Sequence, residues 1–97
     1  MTDDKFIQDV NKTEASGKAR YGDNRWQACV DAISRQGGIS EANMREIVTR
    51  PDAAGLLYSM GKEALLHQSD NGDHESERIY RMLREEERSQ FRKDRGR

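Results

Sequence analysis

Six arginines recur at helical spacing near the end of this 97-residue chain: Arg78, Arg81, Arg84, Arg88, Arg92 and Arg95, with Lys93 among them. At 100° per residue, an unbroken helix gathers the six within an arc of about 120°. A guanidinium stripe of this kind makes bidentate bonds to carboxylates and phosphates, so its chemistry is recognition of anions. Glu77 and Glu85 fall in the same arc. Residues 75–97 hold eight bases and six acids, whereas the rest of the chain holds nine bases and twelve acids. An acidic body therefore carries a basic tail. Three readings compete: a charged face that only keeps a helix soluble, a contact with an acidic protein surface, and a contact with nucleic-acid phosphates. The sequence pI near 6.1 weighs against nucleic acid. So does the lack of aromatics among the bases, Phe91 apart. An acidic protein partner is the preferred functional reading, with a small nucleic-acid-binding regulator as the alternative.

No other group of residues has the composition of a reaction centre. Cys29 lies between Trp26 and Ile33 on an apolar stripe and reads as a small packed hydrophobe without an activating base. His67 and His74 flank Asp70 and Asp73, but their spacing matches no zinc pattern. As a calcium loop with Gly72 sixth, the segment places Arg78 where a bidentate glutamate is required. Glu85, Glu86 and Glu87 are adjacent, so their side chains diverge by about 100° and cannot share a substrate. Gly17-Lys18 and Gly37-Gly38 lack the strand–loop–helix context of a phosphate loop. The expectation is a protein with no catalytic, metal or cofactor site.

The elements that must carry the stripe follow from composition and period. Charged residues make up 36% and hydrophobic residues 33% of the chain, and mean hydropathy is -1.11. The 17 bases and 18 acids nearly cancel. A chain this short buries only about 60–65% of its unfolded surface, so a thin core is expected. No apolar run approaches the roughly 18–20 residues of a membrane span, the Met1–Val10 start has no apolar signal stretch, and a lone cysteine fits a reducing cytoplasm.

The hydrophobic period is helical wherever it is legible. Phe6, Ile7 and Val10 are followed by a polar stretch, Asn11–Lys18, which reads as a loose arm. Asn24 and Gln27 have capping-box spacing ahead of Trp26, Cys29, Val30 and Ile33, and Gly37-Gly38 stop that helix. Ser40 caps a short helix with Met44, Ile47 and Val48. Pro51-Asp52 open another with Ala53, Leu56, Leu57 and Met60, for which Gly61 is the expected stop. Gln68–Asp73 read as a loop. The last helix runs from Glu75 to about Lys93, with Ile79, Met82 and Leu83 as its apolar stripe and Glu86 and Glu87 at the next inward positions. The expected fold is all-α, a small bundle of three to four short helices with mobile termini. Residues 1–22 form a flexible arm, 23–83 a helical core domain, and 84–97 a projecting charged helix and basic tail. Its core comprises Trp26, Val30, Ile33, Met44, Ile47, Val48, Leu56, Leu57, Met60, Leu65, Ile79, Met82 and Leu83.

The order Gly17-Lys18-Ala19-Arg20-Tyr21-Gly22-Asp23, then Ile47-Val48 and Pro51-Asp52-Ala53-Ala54-Gly55-Leu56-Leu57-Tyr58-Ser59-Met60-Gly61-Lys62, then Arg78-Ile79-Tyr80-Arg81-Met82-Leu83, runs from Gly17 to Leu83. This stretch resembles the helical segment of capsid scaffolding proteins of tailed bacteriophages and prophages. The resemblance implies a non-enzymatic helical protein in the bacterial cytoplasm that makes reversible, largely electrostatic contacts with a capsid-type subunit through charged C-terminal helices. The basic stripe is compatible with that mechanism, and Arg78, Arg81, Arg84, Arg88, Arg92, Lys93 and Arg95 are the expected contact residues. The Leu83 end and Phe91 also offer a small homodimer interface.

Overall fold

The structure, a computed structural model, describes residues 4–95, with side chains described through Ser89. Among these residues lie five α-helices: α1 (Asp4–Tyr21), α2 (Asp23–Arg35), α3 (Glu41–Ile47), α4 (Ala53–Asp70) and α5 (His74–Arg95). The fold is all-α, with five helices where three to four were expected. Of the 1–22 arm and 84–97 tail expected at the mobile ends, residues 1–3 and 96–97 lie outside the described residues.

The helix that sequence reading misses is α1. Its inward line is Phe6, Val10, Thr13, Gly17 and Tyr21, spaced four, three, four and four residues apart as a helical face requires. Two of its members, Thr13 and Gly17, are buried without being apolar, which is why a polar-looking stretch packs. Thr13 Oγ1 donates to the Asp9 carbonyl at 2.8 Å, so its buried hydroxyl is satisfied inside the helix. Gly17 sits flat under the Trp26 indole, whose Cδ2 would be 2.6 Å from any added Cβ. The two helices are joined by Gly22 alone, at φ 91, a conformation that favours glycine. Gly22 is also the N-cap of α2, so the expected Asn24–Gln27 capping box does not form.

The centre of the molecule is the crossing of α2 and α4. At Gly61 the helices are so close that a Cβ would lie 2.7 Å from the Cys29 Cα and 2.9 Å from its carbonyl oxygen. Gly61 therefore makes a helix contact rather than the expected stop, and α4 continues to Asp70. Close approach selects small residues for the seam. Gly61 faces Cys29, and the buried cluster around them includes the small residues Ala32 of α2 and Ala54 and Ala64 of α4 with Trp26, Leu57, Tyr58 and Leu65. Both helices are consequently rotated from the orientation their largest aliphatics imply. Val30 and Leu56 are left 36% exposed, and Met82 of α5 37% exposed, which corrects three members of the expected core. Trp26, Ile47, Val48, Leu57, Leu65 and Leu83 are buried as the period predicts, while Ile33, Met44, Met60 and Ile79 are half-buried.

Local signals set most of the remaining boundaries. Gly37 and Gly38, at φ 104 and 76, end α2. Ser40 Oγ accepts from the Asn43 amide at 3.2 Å and starts α3. Asp52 Oδ1 accepts from the Gly55 amide at 3.3 Å and from Arg20 Nη1 at 2.7 Å, so one carboxylate caps α4 and ties it to α1. Arg20, foremost, and the Gly55 amide hold that carboxyl below its ordinary range. Gln68 and Asp73, expected in one loop, do separate work. Gln68 lies in α4, where Nε2 donates to the Ala32 carbonyl at 3.0 Å. Asp73 receives the Ser76 hydroxyl at 2.8 Å and its amide at 3.5 Å, capping α5.

Replacing Gly61 by alanine should destabilise the domain by about 1–3 kcal/mol, because the added methyl meets backbone on the facing helix. Urea unfolding checks this. Cys29→Ala in the same background should not rescue it, since the facing Cβ remains; Cys29→Gly should recover part of the loss.

Candidate functional site

The register of α5 decides which residues are available for binding. Ser76 and Leu83 are fully buried, with Ile79 and Tyr80 packed against the core beside them. The next inward positions are Glu86 and Glu87, and they stay on the body. Glu86 Oε2 is 2.8 Å from Arg25 Nε of α2. That nitrogen is buried and lies out of line for a hydrogen bond, so the contact is an ion pair without directional bonding. Glu87 takes Lys62 Nζ of α4 between its two oxygens, at 2.9 and 3.0 Å, and Oε1 accepts from the Tyr58 hydroxyl at 3.3 Å. The Tyr58 ring is stacked on Tyr21 of α1, with centroids 3.8 Å apart and planes 5° from parallel. Four helices thus meet at one ionic and aromatic clasp. The expectation that the chain projects freely from residue 84 is corrected at least through Glu87.

On the opposite side of α5, Arg78, Arg81, Arg84 and Arg88 are all exposed, as their spacing predicts. Arg78 Nη2 lies 2.8 Å from Glu75, and Arg81 Nη2 lies 2.8 Å from Glu77. Arg84 and Arg88 make no ion pair with a described residue. Arg92, Lys93 and Arg95 belong to α5 by backbone, and their side chains lie outside the described residues. Because Glu86 and Glu87 are committed to the body, they do not offset the outward arginines. A count along the sequence hides this separation. The signal that could have exposed it is the pair of acids in the register of a docking face, which requires basic partners on the facing helices.

The other candidates resolve into structural positions. Cys29 is 1% exposed, and burial pushes its thiol up to about 11, far from a reactive thiolate. Burial, reinforced by the Glu87 charge, likewise raises the Tyr58 hydroxyl above its ordinary value. Among the described residues, no three or more His, Cys, Asp or Glu side chains are placed to hold a metal ion. His74 instead lies near Glu77, Nδ1 to carboxylate 3.9 Å. No helix among them is long and apolar enough to cross a membrane. Comparison with known proteins finds no matching family model, no matching curated protein and no matching solved structure.

Two outcomes follow from the clasp and the seam. Glu87→Gln should cost about 0.5–1 kcal/mol in urea unfolding, the scale of a partly exposed ion pair, whereas Leu83→Ala should cost about 2–5 kcal/mol. The Cys29 thiol, raised from 9.0 to about 11, makes a stability contribution that is fully present below pH 9 and is lost as pH rises towards 11. The urea midpoint should therefore fall over that window. Cys29→Ala should flatten its early part, leaving the later decline due to Tyr21 and Tyr58, whose hydroxyls are also raised.

Proposed function

We propose that this chain is a non-enzymatic, scaffolding-like interaction protein of phage or prophage origin that works in the bacterial cytoplasm. Its outward α5 face binds an acidic protein surface, a capsid-type subunit being the partner that the scaffolding resemblance implies. One observation carries the reading: Arg84 and Arg88 are exposed, with no ion pair to a described residue, on a helix whose opposite side is anchored through Leu83, Glu86 and Glu87. A helix held from behind presents its guanidinium groups at low entropic cost, and unpaired groups need not exchange one carboxylate for another. Arg78 and Arg81 extend the face, with their own glutamates lowering its net charge.

The test is fluorescence anisotropy of a labelled oligoglutamate peptide and of a labelled DNA duplex, at low and high salt. The peptide should bind at low salt and be released at high salt. Arg84→Gln with Arg88→Gln should weaken binding about three- to tenfold, the scale of two exposed ion pairs, with unchanged far-UV circular dichroism. Loss of helicity in that variant would make the stripe structural and overturn the proposal. Preferential DNA binding, with a logarithmic salt slope of about −0.9 per neutralised phosphate, would transfer the face to nucleic acid.

A further inference from the structure

The clasp sorts charge between two neighbouring helices. Lys62 is the only Lys or Arg in α4, and Glu87 holds it. What α4 presents to solvent is Leu56, Ser59, Glu63, Leu66, His67 and Asp70. These positions fall within an arc of about 100°, one continuous face. Leu56 and Leu66 are 36% and 43% exposed on it. Glu63 and Asp70 make no ion pair with a described residue. Asp70 is moreover the last residue of α4, at the negative end of the helix dipole, where an acid loses stability unless a cation meets it. The complementary sorting occurs on α5: Glu86 and Glu87 turn to the body, and Arg84 and Arg88 stay outside with no ion pair to a described residue, with Met82 37% exposed at the edge of the arginine face.

We infer that the partner of the arginine face is a second copy of this chain, whose α4 face receives α5 of its neighbour. The inference rests on the reading of α5 as a binding surface and names the occupant. Charge complementarity carries it: one chain holds an acidic aliphatic face without Lys or Arg and an arginine face of matching length. Glu63 and Asp70 are separated by seven positions, as are Arg81 and Arg88, about 10.5 Å along each helix. Two packed helices can therefore close both pairs at once, covering Leu56, Leu66 and Met82. A net charge of -1 leaves little overall repulsion between copies. Contacts between two different faces can close as a reciprocal pair or continue from copy to copy.

Sedimentation velocity on the full chain, from micromolar to submillimolar concentration at low and high salt, tests this. The wild type should associate at low salt and dissociate at high salt. Arg81→Glu with Arg88→Glu, and separately Glu63→Arg with Asp70→Arg, should each weaken association at least about tenfold. Combining all four should restore it to within about threefold of wild type, because the charges are exchanged across the same contact. Far-UV circular dichroism and thermal melting monitor the fold, and Glu63→Gln with Asp70→Gln serves where a reversal unfolds the chain. Wild type monomeric at every concentration, association indifferent to the α4 reversal, or no restoration in the fourfold variant would each overturn the inference. A monomer that still binds oligoglutamate would sink self-association alone. A monomer that does not bind it would sink both readings.

Discussion

At the crossing of α2 and α4 there is no room for a side chain between Gly61 and the Cys29 backbone, and the rest of the molecule is arranged around that contact. Helices that approach so closely must present small residues, so Cys29, Ala32, Ala54 and Ala64 line the seam. The large residues are displaced to its flanks, where Trp26 covers Gly17 and Tyr58 meets Tyr21. The cost is a thin interior. Cα extents of 47 × 39 × 17 Å leave depth for few fully buried large side chains, Leu65 and Leu83 among them. A chain with only a third of its residues hydrophobic can still close a core this way, since backbone proximity replaces side-chain bulk.

The thin interior explains how α5 is held. Apolar contact ends at Leu83, and beyond it the facing helices offer Arg25, Lys62 and the Tyr58 hydroxyl instead of further aliphatics. Partly exposed pairs add less than burial of a leucine, so Leu83 anchors the helix while the acids set its register. The same arrangement sorts charge over the surface. Each acid bound to the body is turned away from the arginine face, and each base bound inward leaves its own helix more acidic. Faces of opposite sign thus emerge from a chain whose bases and acids nearly balance.

Legibility followed the range of the interactions. Gly37-Gly38, Ser40 and Asp52 mark helix ends through contacts with residues a few positions away, and all three do so in the structure. The arginine positions 78, 81, 84 and 88 share an exposed face because a helical period alone puts them there. α1 was illegible because its buried face includes a threonine and a glycine, which an apolar count scores as solvent-facing. Gly61 was misread for a related reason. Glycine is a stop signal by propensity, yet inside α4 it is the surface on which another helix lies.

The sequence by itself determined the helical class, most of the helix ends and the angular grouping of the arginines, because each depends on backbone preference and period within a few residues. Tertiary structure alone decided how α2 and α4 are rotated against each other, that residues 4–21 pack as α1, and that Glu86 and Glu87 clasp Arg25 and Lys62. Those outcomes depend on how closely residues up to about sixty positions apart can approach, as Arg25 and Glu86 do. Spacing along the chain carries no record of that distance.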